Sequence, residues 1–169
     1  MIDQKSLSAV QGPLKDSYRS DPGAAQVTLS ASGRLGDGVT CSVETGRALV
    51  QAGLHPATGG DGVSACSGDM LLQALVACAG VTLGAVATSL GVEVGDATLT
   101  AEGDLDFRGT LSIAKDAPVG FSAIRLRVDL DADVSEEQRA LLAKLTERFC
   151  VVFQTLANPP ALSVAFGQE

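Results

Sequence analysis

Residues 70–90, MLLQALVACAGVTLGAVATSL, form a long stretch without one charged side chain. A bilayer is spanned by about 20 consecutive apolar residues, so this stretch is long enough to cross one. It contains Gln73 and several Ser, Thr and Gly residues, however, and lacks the basic and aromatic flanks of a membrane helix. A helix that is apolar on every side otherwise lies at the buried centre of a soluble protein. We expect that arrangement here, with no membrane as partner.

The composition supports one folded domain. The chain has 169 residues, of which 46% are hydrophobic and 19% charged, which is typical of a globular protein and not of a disordered one. Aromatic residues make up only 4%, so Ala, Val, Leu and Gly must form the core through close backbone packing.

The net charge indicates which binding partners are disfavoured, and the N-terminal sequence and the cysteines indicate the cellular compartment and the use of the thiols. A net charge of −8 opposes binding to nucleic acid or to anionic lipid. The first residues, MIDQKSLSAVQG, show no secretory or transit signal, so we expect a cytoplasmic protein. Its 4 cysteines would be reduced there, which favours a redox or catalytic use over a disulfide framework.

Turn residues and hydrophobic periodicity predict an α+β order of strands, helix, strands, helix and strand. Residues 1–25 are predicted to be an N-terminal arm with a short helix near 14–19, and residues 26–169 a single domain. The first helix should start at Ser67 or Asp69 and stop at Gly91, and the second should start at Ser135 and continue to about residue 157. The predicted strands cover residues 26–32, 39–45, 92–107, 121–131 and 161–166, with a short further piece at 47–51.

The cysteines and the single histidine exclude most metal and cofactor sites. Cys41, Cys66, Cys78 and Cys150 show no C-x-x-C spacing, so a zinc site is not expected. The glycines at 59–62 lack the Lys-Ser/Thr ending of a P-loop, and no cofactor is predicted. Cys78 and Cys150 each fall inside a predicted helix, where composition alone favours two small buried side chains. Asp69 and Arg148 are the unusual polar groups near them.

Two segments resemble the OsmC/Ohr family: GGDGVSACSGDMLLQALVACAG, which contains Cys78, and ERFCVVFQTL, which contains Cys150. The resemblance covers roughly residues 26–166. It implies an OsmC-like fold in which two central cysteine-bearing helices pack against curved antiparallel sheets. It also implies an intertwined homodimer with an active site at each side of the subunit interface.

For activity, the resemblance implies a thiol peroxidase. Cys78 would attack a hydroperoxide and Cys150 would resolve the sulfenic acid as a disulfide, which a small or protein dithiol would then reduce. A thiol with an ordinary pKa is mostly protonated at neutral pH, so the chemistry requires a group that stabilises the thiolate. In the family this is an arginine steadied by a carboxylate, and Arg47 and Asp69 are the matching residues.

The sequence leaves open the identity of the arginine and the function of the protein. Arg34 or Arg108 is an alternative to Arg47, because the loop before Cys78 is longer than in the classical peroxidases. Cys41 and Cys66 are expected to be structural, and His55 to lie at the rim of the site. The alternative function is a non-catalytic OsmC-like protein that binds a small apolar ligand in a pocket of Leu, Val and Phe side chains.

Overall fold

The computed structural model describes residues 4–35, 41–43, 52–60, 62–63 and 65–165. The predicted strand piece at 47–51, which includes Arg47, lies outside the described residues. Five α-helices and six strands fall within the described part of the chain: α1 Gln4–Ser20, β1 Gln26–Leu35, β2 Cys41–Val43, β3 Ala52–Gly53, β4 Ala65–Cys66, α2 Ser67–Leu90, β5 Thr98–Asp106, α3 Phe107–Thr110, β6 Ala123–Asp129, α4 Glu136–Phe149 and α5 Val151–Ala157.

Four strands form an antiparallel sheet in the order β2-β1-β5-β6. The long pairing of β1 with β5 sets Val27 opposite Leu105, and β5 in turn pairs with β6. Alternate residues of β5 point to one face, where Leu99 and Ala101 are fully buried in the same core as side chains of α2. Strands β3 and β4 form a separate short parallel pair directly before α2. The fold is therefore a mixed arrangement of helices and antiparallel sheet, as expected for the α+β class.

Helix α2 is the central helix that the charge-free segment predicts. Leu72, Leu75 and Val76 are almost completely buried, and the helix ends at Gly91, which adopts the left-handed conformation with φ 63°. By length and composition α2 is able to cross a membrane, but half of its most apolar window is buried within the protein, as in the core helix of a soluble domain. Its N-cap is Cys66, which makes no side-chain capping bond, so the prediction of Ser67 or Asp69 as N-cap was wrong by one position or more.

The second predicted helix is divided in two at Cys150. Its start is confirmed, since the Ser135 side chain accepts the backbone N–H of Gln138 and the Gln138 side chain accepts that of Ser135. Cys150, however, has extended backbone angles of φ −71° and ψ 108° and caps both α4 and α5. The sulfur of Cys150 accepts the N–H of Phe153 at 3.4 Å, as an N-cap side chain does. The prediction that Cys150 lies inside a continuous helix was therefore wrong.

The structure also differs from the predictions in the N-terminal helix and in the C-terminal segment. Helix α1 is longer than the short helix predicted near residues 14–19 and contains Pro13. Its Tyr18 is buried and donates a hydrogen bond to the carbonyl of Ala57 at 2.6 Å. The division into an arm and a domain stays a prediction. Residues 161–165 form no strand, and Leu162 and Val164 are 88% and 80% exposed, because this alternating segment has no sheet edge beside it in the described chain.

Candidate active site

Cys78 and Cys150 lie side by side although they are far apart in the sequence. Cys78 is half-buried in the middle of α2, and Cys150 is fully buried at the junction of α4 and α5. Their sulfurs lie near enough for each thiol to shift the pKa of the other, and both are free cysteines. The structure thus brings together the two residues that the sequence selects for thiol chemistry.

The break at Cys150 supplies hydrogen-bond donors to both sulfurs. The first N–H groups of an α-helix have no partner within the helix. In α5 the N–H of Phe153 donates to the sulfur of Cys150 at 3.4 Å, and the N–H groups of Val151 and Val152 lie near enough to the sulfur of Cys78 to lower its pKa. A continuous helix through Cys150 would use these N–H groups in its own backbone bonds.

These contacts make Cys78 the more acidic thiol. Burial alone raises the pKa of Cys78, but the N–H of Val152, the thiol of Cys150, the N–H of Val151 and the hydroxyl of Thr82 together hold it below its ordinary value. Each of them stabilises the thiolate by a hydrogen bond to the charged sulfur. Cys78 is therefore the sulfur suited to nucleophilic attack.

The pKa of Cys150 is shifted in the opposite direction, upward from its ordinary value. Its pKa is raised to about 11: burial raises it most, the adjacent Cys78 raises it further, and the N–H groups of Phe153 and Val152 offset part of the rise. Two neighbouring sulfurs do not both ionise easily, because two negative charges at contact distance repel each other. Cys150 stays protonated near neutral pH and is suited to react second.

The predicted arginine is not found at Cys78 among the side chains that the structure describes. Arg47 lies outside the described residues, and only the backbone of Arg34 is described, in β1. Arg108 is described and binds the carboxylate of Asp106 through Nε, at 3.0 and 2.9 Å. The groups that lower the pKa of Cys78 here are neutral donors. Thr82 could have been selected by its spacing of one helical turn from Cys78, whereas the α5 N–H groups carry no signal in the sequence.

Asp69 lies at the other end of α2 from the cysteine pair. It is in the first turn, nine residues before Cys78, which corresponds to about 13 Å along the helix axis. Burial raises the pKa of Asp69, and the nearby His55 offsets part of that rise. The structure therefore groups Asp69 with His55 and not with Cys78 of the same chain.

His55 is held in place by the turn that it caps. Its Nδ1 accepts the N–H of Ala57 at 3.0 Å, and its ring stacks on Phe107 with centroids 5.0 Å apart. The backbone carbonyl of His55 accepts the N–H groups of Thr58 and Gly60, at 2.8 and 3.1 Å. Because Nδ1 is an acceptor, the proton of the neutral ring is on Nε2.

Two cavities flank the helices that carry the cysteines. One, of about 370 Å³, reaches Cys150 and the buried hydroxyl of Thr146. Its remaining lining is mostly apolar: Leu83, Leu126, Val128, Leu130, Leu142 and Phe153. A second, of about 410 Å³, lies along α2 and α4 and reaches Thr82 and Phe149. Within the described residues, no three His, Cys, Asp or Glu side chains are grouped so as to hold a metal ion.

The comparisons with known proteins agree with this geometry at the level of the fold. The family model described as OsmC-like protein matches residues 59–165, a range that contains Cys66, Cys78 and Cys150. Among solved structures, the chain is similar to an OsmC-like hydroperoxide resistance protein from Jannaschia sp. CCS1. The two are 16% identical, and the match covers 82% of this chain and 91% of that chain with a TM-score of 0.59. No curated protein matches.

Proposed function

Since the chain belongs to the OsmC-like protein family, we propose that it is a thiol peroxidase that reduces organic or inorganic hydroperoxides. The observation that carries this proposal is the contact between Cys78 and Cys150, in which one pKa is lowered and the other is raised. A peroxidase with two cysteines needs this asymmetry, because one sulfur must attack as a thiolate and the other must keep its proton until the first is oxidised.

The reaction proceeds in three steps. The Cys78 thiolate attacks the distal peroxide oxygen, the O–O bond breaks, and the leaving alkoxide or hydroxide takes up a proton to give an alcohol or water. Cys78 is thereby oxidised to a sulfenic acid. The Cys150 thiol then attacks the Cys78 sulfur, water leaves and a disulfide forms. A small or protein dithiol reduces this disulfide to two thiols and becomes a disulfide itself, so no cofactor is needed.

The proposal includes a homodimer in the cytoplasm. Apolar side chains on one face of α2 and α4, among them Val81, Leu90 and Phe149, are 41%, 39% and 55% exposed. The separation of Asp69 from Cys78 along α2 is a second argument, since a carboxylate that serves Cys78 would then come from the other subunit. Size-exclusion chromatography with light scattering tests this: Val81→Glu should convert a dimer to a monomer, and a wild-type monomer would contradict the dimer.

Arg47, steadied by Asp69, is proposed as the cation that assists Cys78. Comparing Arg47→Gln, Arg34→Gln and Arg108→Gln separates the three alternatives. Loss of the cation should slow the reaction of Cys78 with peroxide by about 10- to 100-fold, as expected for a charged hydrogen bond. If Arg34→Gln or Arg108→Gln alone shows this loss, the role of Arg47 is wrong.

A thiol count tests the peroxidase itself. Stoichiometric hydroperoxide should consume two thiols per chain, and peptide mass spectrometry should find the Cys78–Cys150 disulfide. Cys78→Ser should abolish turnover, Cys150→Ser should stop at a sulfenic acid with one thiol consumed, and Cys66→Ser should behave as wild type. Full turnover by Cys78→Ser would refute the proposal.

The cavity beside Cys150 supports the second candidate, a protein that binds a small apolar ligand without turnover. Its walls are mainly Leu, Val and Phe side chains, and about 370 Å³ is within the usual range of small-molecule sites. Native mass spectrometry of the purified protein tests for a retained ligand. Free thiols after peroxide treatment, together with a ligand that Leu142→Trp displaces, would favour the binder over the peroxidase.

A further inference from the structure

Thr82 lies one helical turn after Cys78 on the same face of α2. Its Oγ1 donates a hydrogen bond to the carbonyl oxygen of Cys78 at 2.8 Å. The same hydroxyl lies near enough to the Cys78 sulfur to lower the pKa of that thiol. Side chains at positions i and i+4 of a helix are neighbours, so this contact follows from the sequence spacing once α2 forms.

One hydroxyl proton serves two acceptors at this position. When Cys78 is a thiol, the hydroxyl donates to the carbonyl, as the structure shows, and Oγ1 can accept the S–H. When Cys78 loses its proton, the hydroxyl is free to rotate and donate to the charged sulfur. The carbonyl of Cys78 loses little, because it still accepts the backbone N–H four residues later in the helix. A hydrogen bond to a charged sulfur is stronger than the one to the carbonyl that it replaces.

We propose that Thr82 is a catalytic residue whose hydroxyl donates a hydrogen bond to the Cys78 thiolate, and this rests on the proposed peroxidase function. Unlike a lysine or a histidine, the hydroxyl is neutral and available at every pH at which the enzyme works. It acts on the sulfur from α2 itself, while the N–H groups of Val151 and Val152 approach from α5. The thiolate is then held by donors from two helices.

The chain contains a matched control for this residue. Thr88, also in α2, donates from Oγ1 to the carbonyl of Gly84 at 2.8 Å, which is the same bond over the same spacing. Thr88→Val therefore removes an equivalent hydroxyl and backbone bond at a position where the residue one turn earlier is Gly84, which has no thiol. Thr82→Ser restores the hydroxyl at the site, and Thr82→Ala removes it with a smaller side chain in case valine disturbs the packing.

The experiment measures the rate at which iodoacetamide alkylates Cys78, by peptide mass spectrometry, across a range of pH. We expect Thr82→Val and Thr82→Ala to raise the apparent pKa of Cys78 and to slow its alkylation near neutral pH about tenfold. Thr88→Val and Thr82→Ser should stay within about twofold of wild type. Circular dichroism of each variant verifies that α2 remains folded.

Two results would overturn the role of Thr82: wild-type alkylation in both Thr82→Val and Thr82→Ala, or an equal loss in Thr88→Val. Because alkylation involves no peroxide, the outcome is independent of the proposed function. Slower alkylation in the Thr82 variants, combined with no peroxide turnover by the wild type, would refute the peroxidase but leave the hydrogen bond to the thiolate in place.

Discussion

Cys78 in α2 packs in the same core as Cys150 at the junction of α4 and α5, near enough for each thiol to shift the pKa of the other. The two residues experience different surroundings although they touch. The pKa of Cys78 is lowered by N–H groups at the start of α5 and by a hydroxyl of its own helix, whereas Cys150 is fully buried and burial outweighs the N–H groups of Phe153 and Val152. The arrangement therefore gives two neighbouring thiols different acidities.

The first prediction concerns the order in which the two thiols react. In the reduced protein, alkylation near neutral pH should modify Cys78 well before Cys150, because the pKa of Cys78 lies below its ordinary value and that of Cys150 lies at about 11. Quantitative peptide mass spectrometry at increasing reaction times measures both rates in one sample. Labelling of Cys150 before Cys78 would contradict the assignment of nucleophile and partner.

The second prediction concerns stability in alkali. The pKa of Cys150 is about 11 in the folded protein, against an ordinary value of 9.0 in an exposed thiol. As the pH rises, the unfolded chain therefore loses this proton first, so the free energy of unfolding should fall between about pH 9 and about pH 11. Below pH 9 the contribution is fully present. Urea unfolding at each pH measures the slope.

Cys150→Ala is the control for that experiment. The variant has no thiol to ionise at this position, so its own unfolding free energy, although lower overall because of the small cavity, should change less over the same pH interval. Equal slopes in wild type and Cys150→Ala would show that another group causes the loss of stability in alkali.

The helices that carry the cysteines were largely predictable from the sequence, because local signals define their starts and stops. Gly91 ends α2 through its left-handed conformation, and Ser135 with Gln138 forms the capping box of α4. The burial of Leu72, Leu75 and Val76 follows from the charge-free segment. These features depend on residues within a turn or two of one another.

The parts that were missed depend on contacts distant in sequence. The sequence around Cys150 contains no proline or glycine that would indicate a break in the helix. The N–H groups at the start of α5 come near Cys78 only because α2 packs beside α5. Residues 161–165 have the alternation of a strand but no partner edge in the described chain, and alternation alone does not make a strand. Asp69 has the expected spacing from Cys78, yet a helix of that length holds the two apart.

The third prediction concerns the acid side of the stability curve. Asp104 of β5 accepts hydrogen bonds from Arg125 at 2.9 Å and from Thr28 at 2.8 Å, and these lower its pKa to about 2. Because the folded-state pKa is depressed, the stabilising contribution is present above the ordinary pKa of 3.8 and is lost as the pH falls toward 2. Asp104→Asn should flatten this part of the curve in urea unfolding between pH 4 and pH 2. A variant with the same acid dependence as wild type would contradict it.

The fourth prediction concerns the loop that holds His55 beside Asp69. Gly60 packs so closely that an added Cβ would lie 1.7 Å from the carbonyl oxygen of Leu54, a backbone atom that has no rotamer to change. Gly60→Ala must therefore move the loop, and we expect it to lower the free energy of unfolding by more than about 1 kcal/mol. Gly120→Ala, where an added Cβ meets nothing within 4 Å, is the control and should stay within about 0.5 kcal/mol of wild type.

The same variant reports on the contact between His55 and Phe107. The chain has 1 histidine, so its ring protons can be followed by NMR without assignment by mutation. Stacking at 5.0 Å places them in the field of the Phe107 ring, and Gly60→Ala should shift their resonances toward those of an exposed histidine, because the carbonyl that binds the N–H of Gly60 belongs to His55. If the Gly60→Ala protein is destabilised but the His55 resonances are unchanged, another part of the loop has moved and His55 has kept its position beside Asp69.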